Sequence, residues 1–409
     1  MKQERNFARI TVTRKAERAI EGGHPWVYDA ELIKTEGTCE NGGFVDVVSI
    51  KGKYLGTGFL SEQSKIRIRL ISRNANDRFD ETFFERRIRY AWDYRKTVMR
   101  DDISCCRIIF GEADAFPGLT VDRFGDILVT QTLSLGIEQR KSMLFPLLYR
   151  VLREDGEEIR GIYERNDVAI RELEGMEQNR GWFPLQGVPA PDSTKTIIVE
   201  NGISYAVDFE NGQKTGFFLD QKYNRQAVAR LARGKRVLDC FTHTGSFALN
   251  AAKGGAAHVC AVDISAAAVE LAQENARRNG LDGVMSFRTA NVFDLLPELE
   301  AHPEEKFDFI ILDPPAFTKN RKTVDSAVRG YKEINLRAMK LLPRGGYLAT
   351  CSCSHFMTEE LFEKMLKSAA RDACVELRQI EVRQQAPDHP ILWNVPETNY
   401  LKFYLFQVV

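Results

Sequence analysis

At 409 residues the chain is longer than one ordinary hydrophobic core organises, and roughly 100–200 residues per domain points to two or three domains. Lys plus Arg and Asp plus Glu stand at 57 each, so no global excess of base announces a polyanionic partner. No run of ~18 apolar residues offers a membrane span, and the charged first twenty residues do not read as a secretory leader, so a cytoplasmic protein is expected. Eight cysteines show no C-x-x-C pair and no partnering histidine spacing, which argues against a structural metal.

The first 75 residues read as short strands broken by glycine, at Phe44 to Ile50, Tyr54 to Leu60 and Ile66 to Leu70. In the last of these Arg67 and Arg69 alternate with Ile66, Ile68 and Leu70, so a small β-barrel with one basic, phosphate-facing strand surface is predicted over 1–75. From Ser61 to Arg100 there are eleven Lys or Arg against six Asp or Glu, and the first twenty residues hold six against two. A solvated helix face explains such runs more often than a ligand does.

A middle α+β domain over 76–190 opens with an arginine-rich helix. Strands follow at Arg107 to Phe110, Leu119 to Arg123 and Ile127 to Thr132, then a helix from Ile137 to Arg153 and a strand at Ile159 to Glu164. The stretch Val188-Pro189-Ala190-Pro191-Asp192-Ser193 is the best linker. Beyond it, over 191–409, strand-like and helix-like runs alternate: Val237 to Phe241, Ser246 to Lys253, His258 to Val262, Ala266 to Asn279, Val284 to Arg288, Phe293 to Leu299, Phe307 to Leu312, Ser326 to Leu342, Tyr347 to Cys351 and Glu359 to Arg371. This is the pattern of a doubly wound α/β sheet, closed by an antiparallel pair at Val375 to Gln384 and Tyr400 to Val408.

Ligands of such sheets sit beyond the carboxyl ends of the strands, at the switch point. There the first strand ends in Asp239-Cys240-Phe241-Thr242-His243-Thr244-Gly245, without the G-x-G-x-x-G pyrophosphate fingerprint. The second ends in Asp263-Ile264, which places a carboxylate for ribose hydroxyls, and the third is followed by Asn291-Val292, a polar edge and a backbone contact for an adenine. Singly, each acid is more often a helix cap; together they point to an adenosyl ligand without a phosphate chain.

The fourth strand runs into Asp313-Pro314-Pro315-Ala316-Phe317, a rigid turn that holds a carboxylate and a ring for a base swung out of its stack. The fifth carries Cys351-Ser352-Cys353-Ser354-His355. A thiolate that adds to carbon 6 of a pyrimidine makes carbon 5 nucleophilic, and cysteine suits both addition and departure. Asp313 would favour that addition at N3 and the amino group. Alternation puts both thiols on one face, so the residues alone do not choose between Cys351 and Cys353, and His355 stands as a base or a surface histidine. Cys39, Cys240, Cys260 and Cys374 read as small buried hydrophobes.

With these stand Gly22-Gly23-His24-Pro25-Trp26-Val27-Tyr28, the run Asp114 to Asp126, Ile162 to Asp167, Gly212 to Gln221, Ser352-Cys353-Ser354 and Ala386-Pro387-Asp388-His389-Pro390. In these motifs and their order the chain resembles, over nearly its whole length, the bacterial 23S ribosomal RNA cytosine-C5 methyltransferases that carry an N-terminal PUA domain. The resemblance implies a PUA barrel, a middle α+β domain and a class I methyltransferase domain using S-adenosyl-L-methionine. It places the nucleophile on Cys353 and a lid over the adenosyl group at Gln213 to Gln221, with Phe217 and Asp220 as contacts. His243 departs from the family's usual tyrosine. The implied partner is 23S ribosomal RNA, with no membrane and a homodimer as the assembly considered. Competing readings are an RNA exocyclic-amine methyltransferase using the Asp-Pro-Pro turn without a cysteine, and a non-catalytic RNA-binding assembly factor.

Overall fold

The computed structural model describes residues 6–302, 304–318 and 320–409. They form two compact units, and the chain passes between them several times. The first takes in residues 1–198, 207–219 and 387–398; the second takes in 199–206, 220–386 and 399–409. No described helix is long and apolar enough to cross a membrane.

The first unit begins with six strands: β1 (Ala8–Val12), β2 (Trp26–Tyr28), β3 (Leu32–Glu36), β4 (Phe44–Val48), β5 (Tyr54–Leu60) and β6 (Ile66–Ser72). They pair in the order β2-β6-β5-β4-β1-β3, with β1 and β4 parallel and the other neighbours antiparallel. Their inward side chains, Ile10, Val12, Val27, Val45, Val47, Ile68 and Leu70, bury together with Ala16 and Ile20 of α1 (Arg14–Glu21). The strands β1, β2 and β3 escaped sequence reading because each is short and two carry mostly exposed or half-exposed residues.

The helix α2 (Glu81–Met99) follows, capped by Asp80, whose carboxylate accepts from Phe83 N at 3.0 Å. A second sheet holds β7 (Cys105–Phe110), β8 (Leu119–Phe124), β9 (Ile127–Thr132), β10 (Gly161–Arg165) and β11 (Arg180–Phe183) in the order β11-β10-β9-β8-β7. The helix expected from Ile137 to Arg153 is two, α3 (Leu135–Glu138) and α4 (Lys141–Glu154), split at Gln139-Arg140.

Residue 75 lies within the first compact unit, where contacts run between the six-stranded sheet and the elements that follow it. Arg69 reaches Glu112 at 3.5 Å and Glu174 at 2.9 Å, Trp26 Nε1 donates to Glu112 at 2.9 Å, and Arg140 lies 4.1 Å over the Phe44 ring. The proline-rich stretch from Val188 lies in a segment of the first unit that runs on to Ile198.

Ion pairs also engage the basic strand β6. Arg67 is held by Asp29 at 2.6 Å and by the Ser61 carbonyl, and Arg69 lies between two carboxylates and against Trp26. Both guanidiniums are half-buried and paired with carboxylates. Phe217 is buried in this unit too, two residues from Thr215, whose hydroxyl donates to Asp122 at 2.6 Å.

The chain then forms the hairpin β12 (Lys195–Glu200) and β13 (Ile203–Asp208). The second unit is built on β14 (Arg236–Cys240), β15 (His258–Asp263), β16 (Met285–Thr289), β17 (Phe309–Leu312), β18 (Tyr347–Ser352), β19 (Leu377–Arg383) and β20 (Lys402–Val408). The order is β16-β15-β14-β17-β18-β20-β19, parallel except for β20, which lies antiparallel between β18 and β19. Its helices are α5 (Lys222–Leu231), α6 (Ser246–Lys253), α7 (Ala266–Arg278), α8 (Val292–Ala301), α9 (Val324–Leu341) and α10 (Glu359–Ala373). Leu238, Val262, Ile310, Leu312 and Leu348 from the sheet pack against Leu296, Tyr331, Ile334, Phe362 and Met365 from the helices. Strands flanked by helices on both faces are apolar throughout, which is why their sequence runs are continuous rather than alternating. The switch in strand order falls between β14 and β17, and the carboxyl ends of those strands carry the site.

Candidate active site

β14 delivers Asp239, which is fully buried. Its Oδ2 accepts from Thr242 Oγ1 at 2.6 Å and from Ala248 N at 2.9 Å, tying the turn to the first turn of α6. Its Oδ1 has no described protein partner. Burial, reinforced by repulsion from Asp313 and Asp263 and opposed by the Thr242 bond, pushes this carboxyl up to about 7. The following loop is held in an uncommon conformation: Phe241, His243 and Gly245 have φ of 65°, 50° and 83°. Two non-glycine residues in the left-handed region cost of order 1–3 kcal/mol each and persist where the surroundings over-determine them. Here His243 N donates to Asp263 Oδ2 at 2.9 Å and Thr242 N to the Val262 carbonyl at 2.8 Å, so β15 fixes the loop. Thr244 is buried, and its hydroxyl has no described partner.

Asp263 is half-buried at the end of β15 and takes one backbone N–H on each oxygen, from His243 and from Ser265 at 2.9 Å. An ionised carboxylate accepts about four bonds, so half of its capacity is left. Ile264 beside it is 72% exposed, an apolar side chain at the mouth of a polar turn. Asn291 stands half-buried just before α8. Its Oδ1 accepts from Phe293 N at 3.1 Å and its Nδ2 donates to Asp294 at 3.0 Å, so it serves as the cap of α8, with Val292 buried behind it.

β17 ends at Leu312 and hands Asp313 to a hydrogen-bonded chain. Gln221 Nε2 donates to Asp313 Oδ1 at 3.0 Å, Asn224 Nδ2 to Gln221 Oε1 at 2.6 Å, and Arg383 Nε to Asn224 Oδ1 at 3.1 Å. Burial and then repulsion from Asp220 push the Asp313 carboxyl up to about 6, against the pull of Arg225. Asp220 is itself buried, with Oδ2 accepting from Tyr400 at 2.6 Å. Beyond Asp313, Pro314 is buried and Pro315 exposed, while the half-buried Phe317 ring packs 4.5 Å from Tyr331 of α9 and 5.8 Å from Phe293.

The two thiols of the fifth strand differ. Cys351 lies inside β18, fully buried and within hydrogen-bonding reach of Asp313 and Gln221. Burial and the Asp313 charge push its thiol well above the ordinary range, which keeps it a neutral donor. Cys353 lies one residue past the end of β18 and is half-buried. Its neighbours are fixed by Ser354 Oγ donating to the Thr318 carbonyl at 2.9 Å and Ser352 Oγ donating to Tyr331 Oη at 3.2 Å. Across the antiparallel ladder, Ser352 pairs with Lys402 of β20, whose buried Nζ donates to the Ser354 carbonyl at 2.6 Å and the Tyr400 carbonyl at 2.8 Å. Burial lowers the Lys402 ammonium to about 8, and the charge of the Cys353 sulfur opposes that fall. His355 is exposed.

The second unit thus brings together Asp220, Asp239, Phe241, Thr244, Gly245, Asp263, Ile264, Asp313 and Cys353 of the residues singled out from sequence; Phe217 belongs to the first unit. Sequence reading missed Asn224, Arg383 and Lys402, and it placed Gln221 only within the lid segment. One signal was legible: Lys402 is the lone cation opening the otherwise apolar run Lys402-Phe403-Tyr404-Leu405-Phe406.

Asp239 Oδ1 and Thr244 Oγ1, buried polar atoms without protein partners beside an over-determined turn and a carboxylate with spare acceptor capacity, fit a polar nucleoside-type cofactor. The chain matches a PUA-like domain over residues 10–73. Over residues 185–407 it matches the family described as S-adenosylmethionine-dependent methyltransferase. A ribosomal RNA large subunit methyltransferase I from Erwinia tasmaniensis is 40% identical over 403 residues, covering 98% of this chain and 99% of that protein. Proteins of the same name from Klebsiella pneumoniae and Escherichia coli are each 39% identical, with the same coverage. A Streptococcus mutans chain solved as a candidate SAM-dependent methyltransferase shares the fold with a TM-score of 0.80 at 24% identity, over 98% of this chain and 99% of that one. The strand order, the strained turn after β14 and the acids at the switch point agree with that match: this chain belongs to the S-adenosylmethionine-dependent methyltransferase family, in the company of the ribosomal RNA large subunit methyltransferases I.

Proposed function

We propose that this protein methylates carbon 5 of a cytosine in 23S ribosomal RNA, with Cys353 as the attacking nucleophile. The relatives named above supply the RNA substrate class, and one observation supports the atom: of the two thiols at the end of β18, one is a buried neutral donor to Asp313 and the other is half-exposed beside an ammonium. Coulomb attraction between Lys402 and the Cys353 sulfur holds the ammonium against the pull of burial.

S-adenosylmethionine supplies an electrophilic methyl group. Asp263 would hold its ribose hydroxyls, and Asp239 and Thr244 its remaining polar groups, with Ile264 against the adenine. The Cys353 sulfur would bond to carbon 6, and the carbon 5–carbon 6 electron pair would take the methyl carbon as the sulfonium–methyl bond breaks and S-adenosylhomocysteine leaves. Loss of the carbon 5 proton to a base then restores the double bond and expels the thiolate. Asp313, held by Gln221 and Cys351, faces the ring's N3 and amino group and carries a proton more readily than an exposed aspartate does, which supports addition to the ring.

The test is nucleoside analysis of unmodified large-subunit ribosomal RNA treated with the purified protein and S-adenosylmethionine. We expect 5-methylcytidine from the native chain and only background from Cys353→Ala, while Cys351→Ala keeps measurable activity. A methylated exocyclic amine, or full activity without Cys353, would instead support a cysteine-independent amine methyltransferase.

A further inference from the structure

The helix α2 of the first unit buries Phe83, Phe84, Ile88, Trp92 and Arg95 on one side. On another side Tyr90 is 64% exposed, and Tyr94, one turn on, is 38% exposed with its hydroxyl donating to the Pro387 carbonyl at 3.0 Å. Beside them Arg86 and Arg87 complete a cavity of about 470 Å3 that Pro390 also lines. That volume lies within the roughly 300–1,000 Å3 of small-ligand sites.

The charge of this cavity is positive. Its acid, Asp114, is already neutralised: Oδ1 and Oδ2 take the two arms of Arg95 at 2.5 and 2.7 Å, and Oδ2 also takes Phe110 N at 2.6 Å. Arg87 is half-buried with its guanidinium 4.3 Å over the Phe83 ring, and Nη1 donates to the Ala115 carbonyl at 3.1 Å. Among the described residues no carboxylate lies within ion-pairing distance of it, and burial brings it down to about 10. Arg86 meets Asp77 at 3.5 Å and lies 5.6 Å from the Phe83 ring. An under-compensated guanidinium next to two exposed phenol rings is suited to a ligand that presents an anion and a flat ring together.

We propose that this cavity seats one unpaired nucleotide of the RNA substrate, its base stacked on Tyr90 and Tyr94 and its phosphate on Arg87 and Arg86. The inference rests on the reading that the substrate is an RNA, and it assigns to the first unit a binding point separate from the methyl-transfer chemistry. It also reassigns the basic excess between Ser61 and Arg100: Arg67 and Arg69 are engaged in ion pairs, whereas Arg86 and Arg87 border the open cavity.

The experiment measures binding of an unmodified large-subunit ribosomal RNA transcript to the full chain across a range of salt concentrations. Tyr90→Ala should weaken binding about tenfold or more with the salt slope unchanged, the signature of lost stacking. Tyr90→Phe should restore it. Arg87→Gln should weaken binding and lower the salt slope by about one. Arg371→Gln, at an exposed position on α10, should change neither. Retained S-adenosylhomocysteine binding in each variant establishes that the second unit is folded, and circular dichroism with a native melting profile does so for the whole chain. Native-like RNA affinity of both Tyr90→Ala and Arg87→Gln would overturn the cavity assignment, as would a site that takes a protein segment instead. Failure of the native chain to bind the transcript at all would overturn the RNA reading with it.

Discussion

Lys402 is buried, donates to two carbonyls and feels the charge of the Cys353 sulfur, and this makes it a reporter of pH. Its folded value of about 8 lies below the ordinary 10.5, so between those limits the unfolded chain binds more protons than the folded one and stability rises with pH. The rise is on the order of 3 kcal/mol at most, at about 1.4 kcal/mol per unit. Asp313 and Asp239 act oppositely: their folded values of about 6 and about 7 exceed the ordinary 3.8, so their contribution falls as pH climbs from about 4 to about 7. Urea unfolding of the native chain and of Lys402→Met should therefore converge at low pH differently from high pH, with the native chain gaining on the variant between about pH 8 and 10. Parallel profiles would remove Lys402 from the pH response. Through the proposed chemistry, the same substitution should depress methyl transfer most below about pH 8, where the native side chain is charged.

At the scale of an element, the turn between β14 and α6 concentrates the strain. Gly245 has φ of 83°, and a Cβ there would lie 3.0 Å from the Ala272 side chain of α7. Both a left-handed backbone and a tight helix contact therefore demand glycine. Gly245→Ala should cost about 1–3 kcal/mol and tilt the loop that carries Thr244. Thermal unfolding with and without S-adenosylhomocysteine separates the two effects: the variant's melting temperature should be lower, and its ligand-induced shift smaller. A lowered melting temperature with an undiminished shift would mean that the turn supports the fold and not the cofactor. The β18–β20 pairing acts in the same way on the other half of the site, since one antiparallel strand sets the position of Lys402 against Ser352.

At the scale of the molecule, the last 23 residues beyond Ala386 are divided between the two units. Residues 387–398 belong to the first, where Asp388 is fully buried, accepts from Arg107 N at 2.7 Å and offers its carbonyl to Arg95 at 2.9 Å. The final strand β20 belongs to the second, between β18 and β19. A chain truncated after Ala386 should leave buried donors of Arg95 and Arg107 unsatisfied and part the edge strand β19 from β18. Limited proteolysis should then cut both units rapidly. A protease-resistant fragment spanning residues 6 to 198 would show that the first unit folds without this segment.

Period and punctuation in the sequence determined the doubly wound sheet, because buried parallel strands and amphipathic helices leave unmistakable local patterns. Ser246–Lys253 was legible to the residue, and the acids at the ends of β14, β15 and β17 were legible as a cluster. Tertiary structure alone decided the rest. Local alternation placed Cys351 and Cys353 on one face, but burial by the surrounding sheet made one a neutral donor and left the other half-open. Asn291 became a helix cap, and Arg67 and Arg69 found carboxylates from distant segments. Partners such as Glu174 for Arg69 or Lys402 for Ser352 are brought together only when the chain closes over long separations, and charge compensation of that kind has no local sequence period to reveal it.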